Sequence, residues 1–358
     1  MRYIITAGGT GGHIYPAIAI INKIKENDKN AKFLYIGTTD RMEKDIIPSL
    51  KIDYIGLKIK GLSKNPITSV KSIFLTLSNI KKCKKIIKEF KPDIVIGVGG
   101  YVTVPVIYSA HTLGIKTLLH EQNSIPGKAN KFLSNMVDTI CISMESSKKY
   151  FKEKEKVIFT GNPRSEEILK GKKANKKDYN LSNNKKLVVI TTGSLGSSSI
   201  NEKIKDIFPK FKDKSYEVLL ITGNSSYDEM RKYNTSKNVM VVPYVEKMNE
   251  LLKVTDLIVS RAGATTIAEI TALGIPSILI PSPYVANNHQ EINARDLENN
   301  GASIVLSEED FDGKKLLYLI DDILNNEKKY NEMSDNAKKM GIKNSSSRIY
   351  DEIERLIK

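Results

Sequence analysis

The chain has 358 residues, of which 40% are hydrophobic and 27% charged, a composition typical of a folded globular protein of about two domains. Its two cysteines, Cys83 and Cys141, lie in a helical and a strand-like stretch, so we expect small buried thiols and exclude a disulfide framework. No apolar run reaches membrane-spanning length, and the start MRYIITAGG lacks a signal-peptide pattern, so we expect a cytoplasmic protein.

The formal net charge of +15 is concentrated in the first half of the chain. Residues 1–160 hold 26 Lys and Arg against 13 Asp and Glu, whereas residues 161–358 are nearly balanced. This asymmetry favours a polyanionic partner for the first half, either nucleic acid or an anionic membrane surface. The alternative is a lysine-rich surface that serves solubility alone.

The first predicted elements are a strand, MRYIIT, and a glycine-rich turn, AGGTGGHIYPA (7–17), that leads into a helix. The helix is indicated by apolar residues at helical spacing, namely Ile14, Ala17, Ile18, Ile21 and Ile24. Glycine allows close approach of a ligand, and a helix N-terminus offers unpaired N–H groups and partial positive charge. The turn therefore favours an anion or a polar head group beside His13. The alternative is a tight turn without a ligand, because the glycine spacing does not complete a dinucleotide fingerprint.

Short β-branched runs then alternate with helical stretches, which predicts parallel sheets flanked by helices. The strand-like runs are AKFLYIG, PDIVIGVGG, KTLLHEQ, TICIS, KVIFTG, KLVVITTG, YEVLLITG, NVMVVPY, DLIVSRAG and PSILIPS. The stretch 161–186 is polar, and a second glycine turn, TTGSLGSSS, follows KLVVI. We predict an α/β fold of two doubly wound, Rossmann-like domains joined near 161–185 and facing across a cleft. A final helical stretch runs from Tyr330 to Lys358.

Polar residues follow several predicted strands, at the sheet edge where such folds bind ligands. HEQN (120–123) ends one strand, and His289 and Gln290 lie in a loop after another. Glu269 has two interpretations: Thr266 and Glu269 have capping-box spacing, but a carboxylate at a strand-end site also suits the two hydroxyls of a ribose. The Asp310-Phe311-Asp312 pattern lies in LSEEDFDGKKLL, where we expect helix-start residues and not metal ligands.

Seven motifs have the order and rough spacing of the MurG family: GGTGGH (8–13), GVGGYVTVP (97–105), HEQN (120–123), TGNPR (160–164), TGSLGSSSIN (192–201), SRAGATTIAE (260–269) and NHQEINA (288–294). The resemblance covers about the whole chain. It implies the two-domain GT-B arrangement and an inverting glycosyltransferase of peptidoglycan synthesis. The implied reaction moves N-acetylglucosamine from UDP-N-acetylglucosamine to the C4 hydroxyl of the N-acetylmuramyl unit of lipid I, undecaprenyl-pyrophosphoryl-N-acetylmuramyl-pentapeptide, and gives lipid II. A related GT-B transferase with another UDP-sugar or lipid acceptor is the alternative.

The resemblance also implies substrate-binding residues. On the donor side these are Arg164, Ser194, Val245, Ala264, Thr265, Thr266, Ile267, Ala268, Glu269 and Gln290, with Ser194 and Arg164 near the phosphates and Glu269 on the ribose. Across the cleft, Thr10, Gly11, Gly12 and Asn123 are implied to face the transferred sugar. We expect no metal and no other cofactor, since helix N-termini and Arg164 would balance the charge of the leaving UDP.

His13 is our candidate for the general base that takes the proton from the acceptor C4 hydroxyl. A neutral imidazole suits this task near pH 7, and the positive end of a helix disfavours the protonated form. Glu121 is the alternative base. A third interpretation is that His13 only forms hydrogen bonds with the acceptor or within the turn.

We assign residues 1–162 to an acceptor and membrane-facing domain, with a helix of about 340–358 packing back on it, and residues 163–339 to the UDP-sugar domain. Since the implied acceptor carries a lipid tail, we expect a peripheral protein on the cytoplasmic face of the cell membrane, bound to an anionic surface. The candidate segment is Pro66 to Phe90, where Val70, Ile73, Phe74 and Leu77 precede a lysine cluster. An ordinary core-packing helix is the alternative.

Two other classes of protein explain less of the sequence. A nucleic-acid binder would account for the basic first half but not for the polar strand ends around Glu269 and Gln290. A nicotinamide-dependent oxidoreductase would account for the first glycine turn, and Asp40 could be its acidic residue, but the glycine spacing is wrong. We therefore expect no nucleic-acid partner.

Overall fold

The computed structural model describes residues 1–61, 66–191, 196–234 and 236–358, with the backbone alone for residues 66–71. These residues divide into two compact units, one of Met1–Glu167 with Asn344–Lys358 and one of Ile168–Lys343. The first unit thus includes residues 163–167, which the sequence analysis assigned to the second domain.

In the described part of the first unit, seven parallel strands form one sheet in the order β3-β2-β1-β4-β5-β6-β7. The strands are β1 (Arg2–Ala7), β2 (Lys32–Thr38), β3 (Asp53–Leu57), β4 (Ile94–Gly99), β5 (Lys116–Glu121), β6 (Thr139–Ile142) and β7 (Val157–Phe159). The helices between and after them are α1 (Gly11–Asn27), α2 (Glu43–Ser49), α3 (Pro66–Phe90), α4 (Thr103–Thr112), α5 (Lys128–Leu133) and α6 (Arg164–Glu167). The chain reverses its direction of strand addition after β3, which places the ends of β1 and β4 side by side.

The side chains of β1 alternate between two hydrophobic clusters, one on each face of the sheet. Tyr3 and Ile5 pack in a cluster that includes Ile14 and Ile21 of α1. Ile4 packs in a second cluster with the apolar side of α4. Five of the six β1 residues, all but Arg2, are buried, as expected for a central strand that is covered on both faces.

In the described part of the second unit, six parallel strands are ordered β10-β9-β8-β11-β12-β13. They are β8 (Leu187–Thr191), β9 (Glu217–Ile221), β10 (Val239–Val242), β11 (Leu257–Ser260), β12 (Ser277–Leu279) and β13 (Ser303–Val305). The helices are α7 (Ser198–Ile204), α8 (Asn224–Met230), α9 (Met248–Leu252), α10 (Ala264–Leu273), α11 (His289–Asn299), α12 (Gly313–Asn325) and α13 (Glu327–Met340). The predicted α/β class with two doubly wound domains is confirmed.

The final helical stretch contains most of α13 and one further helix. After α13, residues 341–344 interrupt the helix, and α14 (Ser345–Ile357) belongs to the first unit. Ile349 and Ile353 of α14 join the core cluster of α1, and the Ser346 hydroxyl donates to the Pro163 carbonyl at 2.9 Å.

Every predicted strand-like run contains a strand, but β3 and β13 were missed. β3 is the edge strand of its sheet and is only partly buried, so DYIGL lacks the apolar run that identified the others. β13 has three residues and also lies at an edge. The two cysteines are free and buried as predicted, and burial raises the pKa of the Cys83 thiol to about 12.

Candidate functional site

Two glycine turns pack against each other at the carboxyl ends of β1 and β4. The Gly8 amide donates to the Gly99 carbonyl at 3.2 Å. An ideal Cβ on Gly100 would lie 2.4 Å from the Gly8 carbonyl oxygen, and Gly99 and Gly100 have φ of +111° and +89°. A side chain at Gly100 would therefore require both a strained backbone and a displaced neighbour. The glycines allow the two turns to form one continuous surface.

His13 lies in the first turn of α1, against this surface. Its Nδ1 atom is 3.1 Å from the Gly8 carbonyl oxygen. Because a carbonyl oxygen only accepts, Nδ1 carries the proton in this contact, and in the neutral ring the lone pair belongs to Nε2. The ring also lies beside the Cα of Gly99, since an ideal Cβ there would be 2.7 Å from His13 Cδ2.

A cavity of about 520 Å³ opens beside these turns, within the first unit. One wall is formed by the glycine turns with Thr10 and His13. The other wall comes from the loops after β2 and β3. Its lining residues are Gly8, Gly9, Thr10, His13, Thr38, Asp40, Arg41, Ile59, Lys60, Gly61, Gly100, Tyr101 and Val102. Of the predicted site residues, Thr10 and His13 line the cavity. Gly11 and Gly12 are the first two residues of α1, next to it.

Sequence reasoning missed the wall after β2 and β3. Arg41 and Lys60 bring two cationic side chains to the cavity, and Asp40 brings one carboxylate. The signal that could have found it is TTDR (38–41) at the end of β2, on the same side of the sheet as the first glycine turn. The unrecognised strand β3 hid the contribution of Lys60.

Glu121, the alternative base, is buried at the end of β5 and fully engaged by its own loop. Its Oε1 accepts from the Asn123 amide at 3.0 Å and from the Asn123 side chain at 3.3 Å. Its Oε2 accepts from the Gly127 amide at 3.0 Å and from Asn130 Nδ2 at 2.8 Å. These bonds fix the loop 121–130, and with it the half-buried Asn123.

His120 and Gln122 form a buried polar group under the same loop. Gln122 Nε2 donates to the Val98 carbonyl at 2.9 Å and lies 2.9 Å from His120 Nδ1. His120 Nε2 lies 3.2 Å from the Gly161 carbonyl oxygen. Burial lowers the pKa of His120 to about 4, although the bond to Gly161 opposes the shift. His120 is thus a neutral link between the ends of β4 and β5 and the segment after β7.

Arg164 begins α6 in the first unit. Its amide donates to Asn162 Oδ1 at 3.1 Å, and its guanidinium lies 5.8 Å from the ring centroid of Tyr15. The ring of Tyr15, on α1, is exposed beside it. The fold thus places a cation next to the helix that carries His13.

Most of the predicted donor residues of the second unit, those from Ala264 to Glu269, lie in α10. Gly263 is the N-cap of α10, so Thr266 and Glu269 lie inside the helix and the capping-box interpretation is wrong. Glu269 is 8% exposed and Ala264, Ile267 and Ala268 are also buried. Thr265 and Thr266 are partly buried, and the Thr265 hydroxyl is enclosed without a hydrogen-bond partner among the described residues.

The remaining donor candidates are placed by local contacts. Val245 is buried in the core beside β10, and Gln290, in the first turn of α11, accepts from the Ser282 amide at 2.9 Å. His289 Nδ1 lies 2.8 Å from the Ala286 carbonyl oxygen. Ser194 lies outside the described residues.

An ion pair that sequence reasoning missed fixes the turn before α10. Arg261 Nη1 lies 2.7 Å from Glu308 Oε2, and Arg261 Nη2 donates to the Ser197 hydroxyl at 3.2 Å. Ser199 donates to Glu308 Oε1 at 2.8 Å. Burial would raise the pKa of Glu308, but the bonds from Arg261 and Ser199 outweigh burial and hold that pKa below its usual value. The pair joins the segment before α7 to the turn before α10.

Carboxylates and other metal-binding side chains form no cluster suited to a metal ion in the residues that the structure describes. Asp312 is the N-cap of α12 and accepts from the Lys315 amide at 2.7 Å. Asp310 accepts from the Ser307 hydroxyl at 2.8 Å. The prediction of a helix-start residue is confirmed for Asp312, whereas Asp310 lies in the turn that precedes the N-cap.

A separate surface is formed by the middle of α3. Ile73, Phe74 and Leu77 are 51%, 69% and 58% exposed, so the core-packing alternative is wrong for these three residues. The side chain of Val70 lies outside the described residues. Lys81, Lys82 and Lys85 are exposed in the following turns, and Lys84 is partly buried. Among the described residues, no helix has both the length and the apolar character needed to cross a bilayer.

Two parallel-sheet, Rossmann-like units define a protein of the GT-B fold class. The N-terminal domain of glycosyltransferase family 28 matches residues 3–142, and the C-terminal domain of that family matches residues 187–349. The chain belongs to glycosyltransferase family 28 and, within it, to the MurG family.

The similarity to individual relatives extends over the full length. The chain is 45% identical to the "UDP-N-acetylglucosamine--N-acetylmuramyl-(pentapeptide) pyrophosphoryl-undecaprenol N-acetylglucosamine transferase" of Bacillus pumilus (strain SAFR-032), over 99% of each chain. It is 45% identical to the enzyme of the same name from Bacillus subtilis (strain 168), over 100% of each chain. A crystal structure of MurG from Acinetobacter baumannii matches with a TM-score of 0.80 and 26% identity, over 99% of each chain.

Proposed function

We propose that this protein transfers N-acetylglucosamine from UDP-N-acetylglucosamine to the C4 hydroxyl of the N-acetylmuramyl unit of lipid I, with inversion at the anomeric carbon, to give lipid II. The names of the relatives at 45% identity support the substrates. The observation that carries the chemistry is the placement of His13 on the wall of a cavity, with Nδ1 held by the Gly8 carbonyl. A transferase of the same fold with another UDP-sugar or lipid acceptor is the alternative.

His13 acts in this proposal as the general base. The bond from Nδ1 to Gly8 fixes the tautomer whose Nε2 lone pair can take a proton, which is the property that the reaction needs. Glu121 suits the role less well, because its two oxygens already accept four hydrogen bonds. We assign Glu121 instead to holding Asn123 in place, and Asn123 with Thr10, Gly11 and Gly12 to contacts with the transferred sugar.

The acceptor pyrophosphate and sugar occupy the cavity of the first unit in this proposal. The cationic side chains of Arg41 and Lys60 and the N-terminus of α1 favour an anionic ligand there. The Gly9 amide is directed instead to the carboxylate of Glu43, at 3.4 Å. The amides of Gly11 and Gly12, at the start of α1, remain the candidates for pyrophosphate contacts.

The donor binds at α10 of the second unit in this proposal. The N-terminus of α10 offers backbone donors to the diphosphate, and the buried Glu269 accepts from the ribose hydroxyls. Val245 contacts uracil through its backbone, and Gln290 reads the sugar. Ser194 and Arg164 contact the donor phosphates, and no metal or other cofactor takes part.

We further propose that the protein is peripheral at the cytoplasmic face of the cell membrane. Exposed Ile73, Phe74 and Leu77 would insert shallowly, and the following lysines would contact anionic head groups. This segment belongs to the same unit as the cavity assigned to the lipid-linked acceptor. The proposal accounts for the positive charge of the first half without a nucleic-acid partner.

The test is transfer of radiolabelled sugar to a short-chain, water-soluble analogue of lipid I. UDP-N-acetylglucosamine should give a disaccharide product, whereas UDP-glucose and UDP-N-acetylgalactosamine should not. Analysis of the product by NMR should show a β-linkage to C4 of the muramyl sugar. Transfer from another UDP-sugar at a comparable kcat/KM, or a linkage to another hydroxyl, would support the alternative transferase.

A further inference from the structure

Glu43, the first residue of α2, is a fully buried carboxylate that connects the two walls of the cavity. Its Oε1 accepts from the amide and the hydroxyl of Thr38, at 3.0 Å and 2.7 Å. Its Oε2 accepts from the Gly9 amide at 3.4 Å. One side chain thus contacts the loop after β2 and the glycine turn after β1.

Two glycines provide the space that this carboxylate occupies. An ideal Cβ on Gly8 would lie 2.7 Å from Glu43 Oε1, and one on Gly37 would lie 2.8 Å from Glu43 Cγ. Gly8 and Gly37 stand at the ends of the neighbouring strands β1 and β2. The glycines at these two strand ends therefore make room for the buried glutamate, and at Gly37 also for the side chain of Tyr54.

The donor set around Glu43 fits a carboxylate and no other side chain of that size. Three donors converge on its two oxygens, and a carboxylate can accept all of them because it carries no proton. A glutamine amide has one oxygen, so its NH₂ group would face either Thr38 or the Gly9 amide, donor against donor. A buried donor left without a partner carries a free-energy penalty, so the turn would have to move.

Glu43 is joined to His13 through the glycine turn. The carboxylate contacts the amide of Gly9, and the preceding Gly8 carbonyl is the group that faces His13 Nδ1 at 3.1 Å. Residues Gly8 and Gly9 share a peptide unit, so the oxygen that faces His13 and the amide that faces Glu43 belong to the same rigid plane. A rotation of that plane would alter both contacts together.

We infer that Glu43 is a positioning residue for the transfer reaction: it fixes the Gly8–Gly9 peptide plane and thereby the ring orientation and tautomer of His13. The inference rests on the proposed function, in which His13 is the base. Glu43 does not contact the substrate in this scheme.

The test compares the Glu43→Gln and Tyr54→Phe variants with the wild-type protein. Tyr54 donates to the Thr38 carbonyl in the same cluster, so Tyr54→Phe removes a neighbouring, partly buried hydrogen bond and leaves the contacts of Glu43 in place. We expect Glu43→Gln to lower kcat on the order of 10- to 100-fold with the donor KM unchanged, because a small displacement of a catalytic group has effects of this size. Tyr54→Phe should retain the wild-type kcat.

A spectroscopic measurement separates positioning from general loss of stability. Long-range ¹H–¹⁵N correlation spectra report the tautomer of each of the four histidines, and His13 is assigned by its absence in His13→Gln. The wild-type ring should be the Nδ1–H tautomer, and Glu43→Gln should give a mixture. If Glu43→Gln does not fold, Glu43→Asp keeps the charge but shortens the reach toward Gly9, and should show the same change.

The outcomes separate the two proposals. A wild-type protein without transfer activity would overturn the proposed function, while the histidine spectra would still test the link from Glu43 to His13. Active Glu43→Gln with a wild-type His13 tautomer would overturn the inference and leave the proposed function intact. Equal losses of kcat in Glu43→Gln and Tyr54→Phe with unchanged spectra would also overturn it, because Glu43 would then serve stability alone.

Discussion

The ring of His13 occupies the space in which a side chain at Gly99 would begin: an ideal Cβ on Gly99 would lie 2.7 Å from His13 Cδ2 and 2.9 Å from Nε2. Gly99 also has a φ of +111°, so two requirements for glycine coincide at one residue. The glycine turn after β4 is thus part of the surface that holds the candidate base.

The first prediction concerns this contact. Gly99→Ala should lower kcat by displacing His13, and strain at its positive φ should lower the free energy of unfolding by about 1–3 kcal/mol. The measurements are steady-state kinetics and urea unfolding. Gly114→Ala is the matched control, since Gly114 has a φ of +70° but no atom within 4 Å of its ideal Cβ. It should lose stability and keep its activity, whereas equal kcat in both variants would contradict the proposed contact.

His13→Ala tests the base itself. Removing a general base should lower kcat on the order of 10²–10⁴-fold, because the attacking hydroxyl then keeps its proton in the transition state. Kinetics with a saturating short-chain acceptor give the change in kcat. The unfolding midpoint should change little, since the ring is only partly buried. A variant that loses only acceptor affinity would show that His13 binds the acceptor and is not the base.

Glu269→Ala should raise the donor KM, because the ribose hydroxyls lose their acceptor. The helix start does not depend on Glu269, since Gly263 is the N-cap of α10. Isothermal titration with UDP measures the loss of affinity directly, and Glu269→Gln, which keeps one acceptor oxygen, should be weakened less. If Glu269→Ala binds UDP as the wild type does, the ribose assignment is wrong.

The buried His120 predicts a loss of stability in acid. Its pKa is about 4 in the folded protein against an ordinary value of 6.5. Above pH 6.5 His120 is neutral in both the folded and the unfolded protein, so it does not reduce the free energy of unfolding. As the pH falls from 6.5 to 4, the unfolded state binds a proton that the folded state does not. At about 1.4 kcal/mol per pH unit this removes roughly 3 kcal/mol.

Urea unfolding at pH 7 and at pH 4.5 measures this contribution. His120→Gln, which cannot titrate, should show a smaller decrease than the wild type between the two values. Parallel pH dependence in the two proteins would show that other groups account for the acid sensitivity.

The surface of α3 predicts binding to anionic vesicles. Phe74→Ser with Leu77→Ser removes two exposed apolar side chains and should weaken binding with little effect on stability. A second variant changes four lysines to glutamine: Lys81, Lys82, Lys84 and Lys85. At roughly 1 kcal/mol for each lysine, its binding should fall by several orders of magnitude at low salt and by less at high salt.

Sedimentation with phosphatidylglycerol vesicles gives the bound fraction. The charge-matched control replaces four exposed lysines of the second unit by glutamine: Lys172, Lys173, Lys177 and Lys212. This control should bind as the wild type does, and all variants should remain active on a water-soluble acceptor. Equal loss of binding in the control would assign the effect to net charge and not to α3.

The sequence by itself determined the fold class and most of the central strands. β-branched runs such as PDIVIGVGG identify buried parallel strands, because a strand covered on both faces must be apolar throughout. The edge strands β3 and β13 were missed for the same reason. An edge strand is only partly surrounded by the core, so its sequence does not need a continuous apolar run. The sequence analysis assigned a final helix of about 340–358 to the first domain, and in the structure α14 is part of the first unit.

The sequence also pointed to the residue types of the site through its glycine turns and polar strand ends. Only the tertiary structure decided what those residues do in the fold. It showed that Glu121 is engaged by its own loop, that Glu269 is not a cap, and that Arg261 pairs with Glu308 across 47 residues of sequence. It also revealed Glu43, a residue in a helix start that looks ordinary in DRMEKD. Hydrogen-bond partners and burial depend on which strand ends become neighbours, and strand order is set by the packing of the whole sheet and not by local sequence.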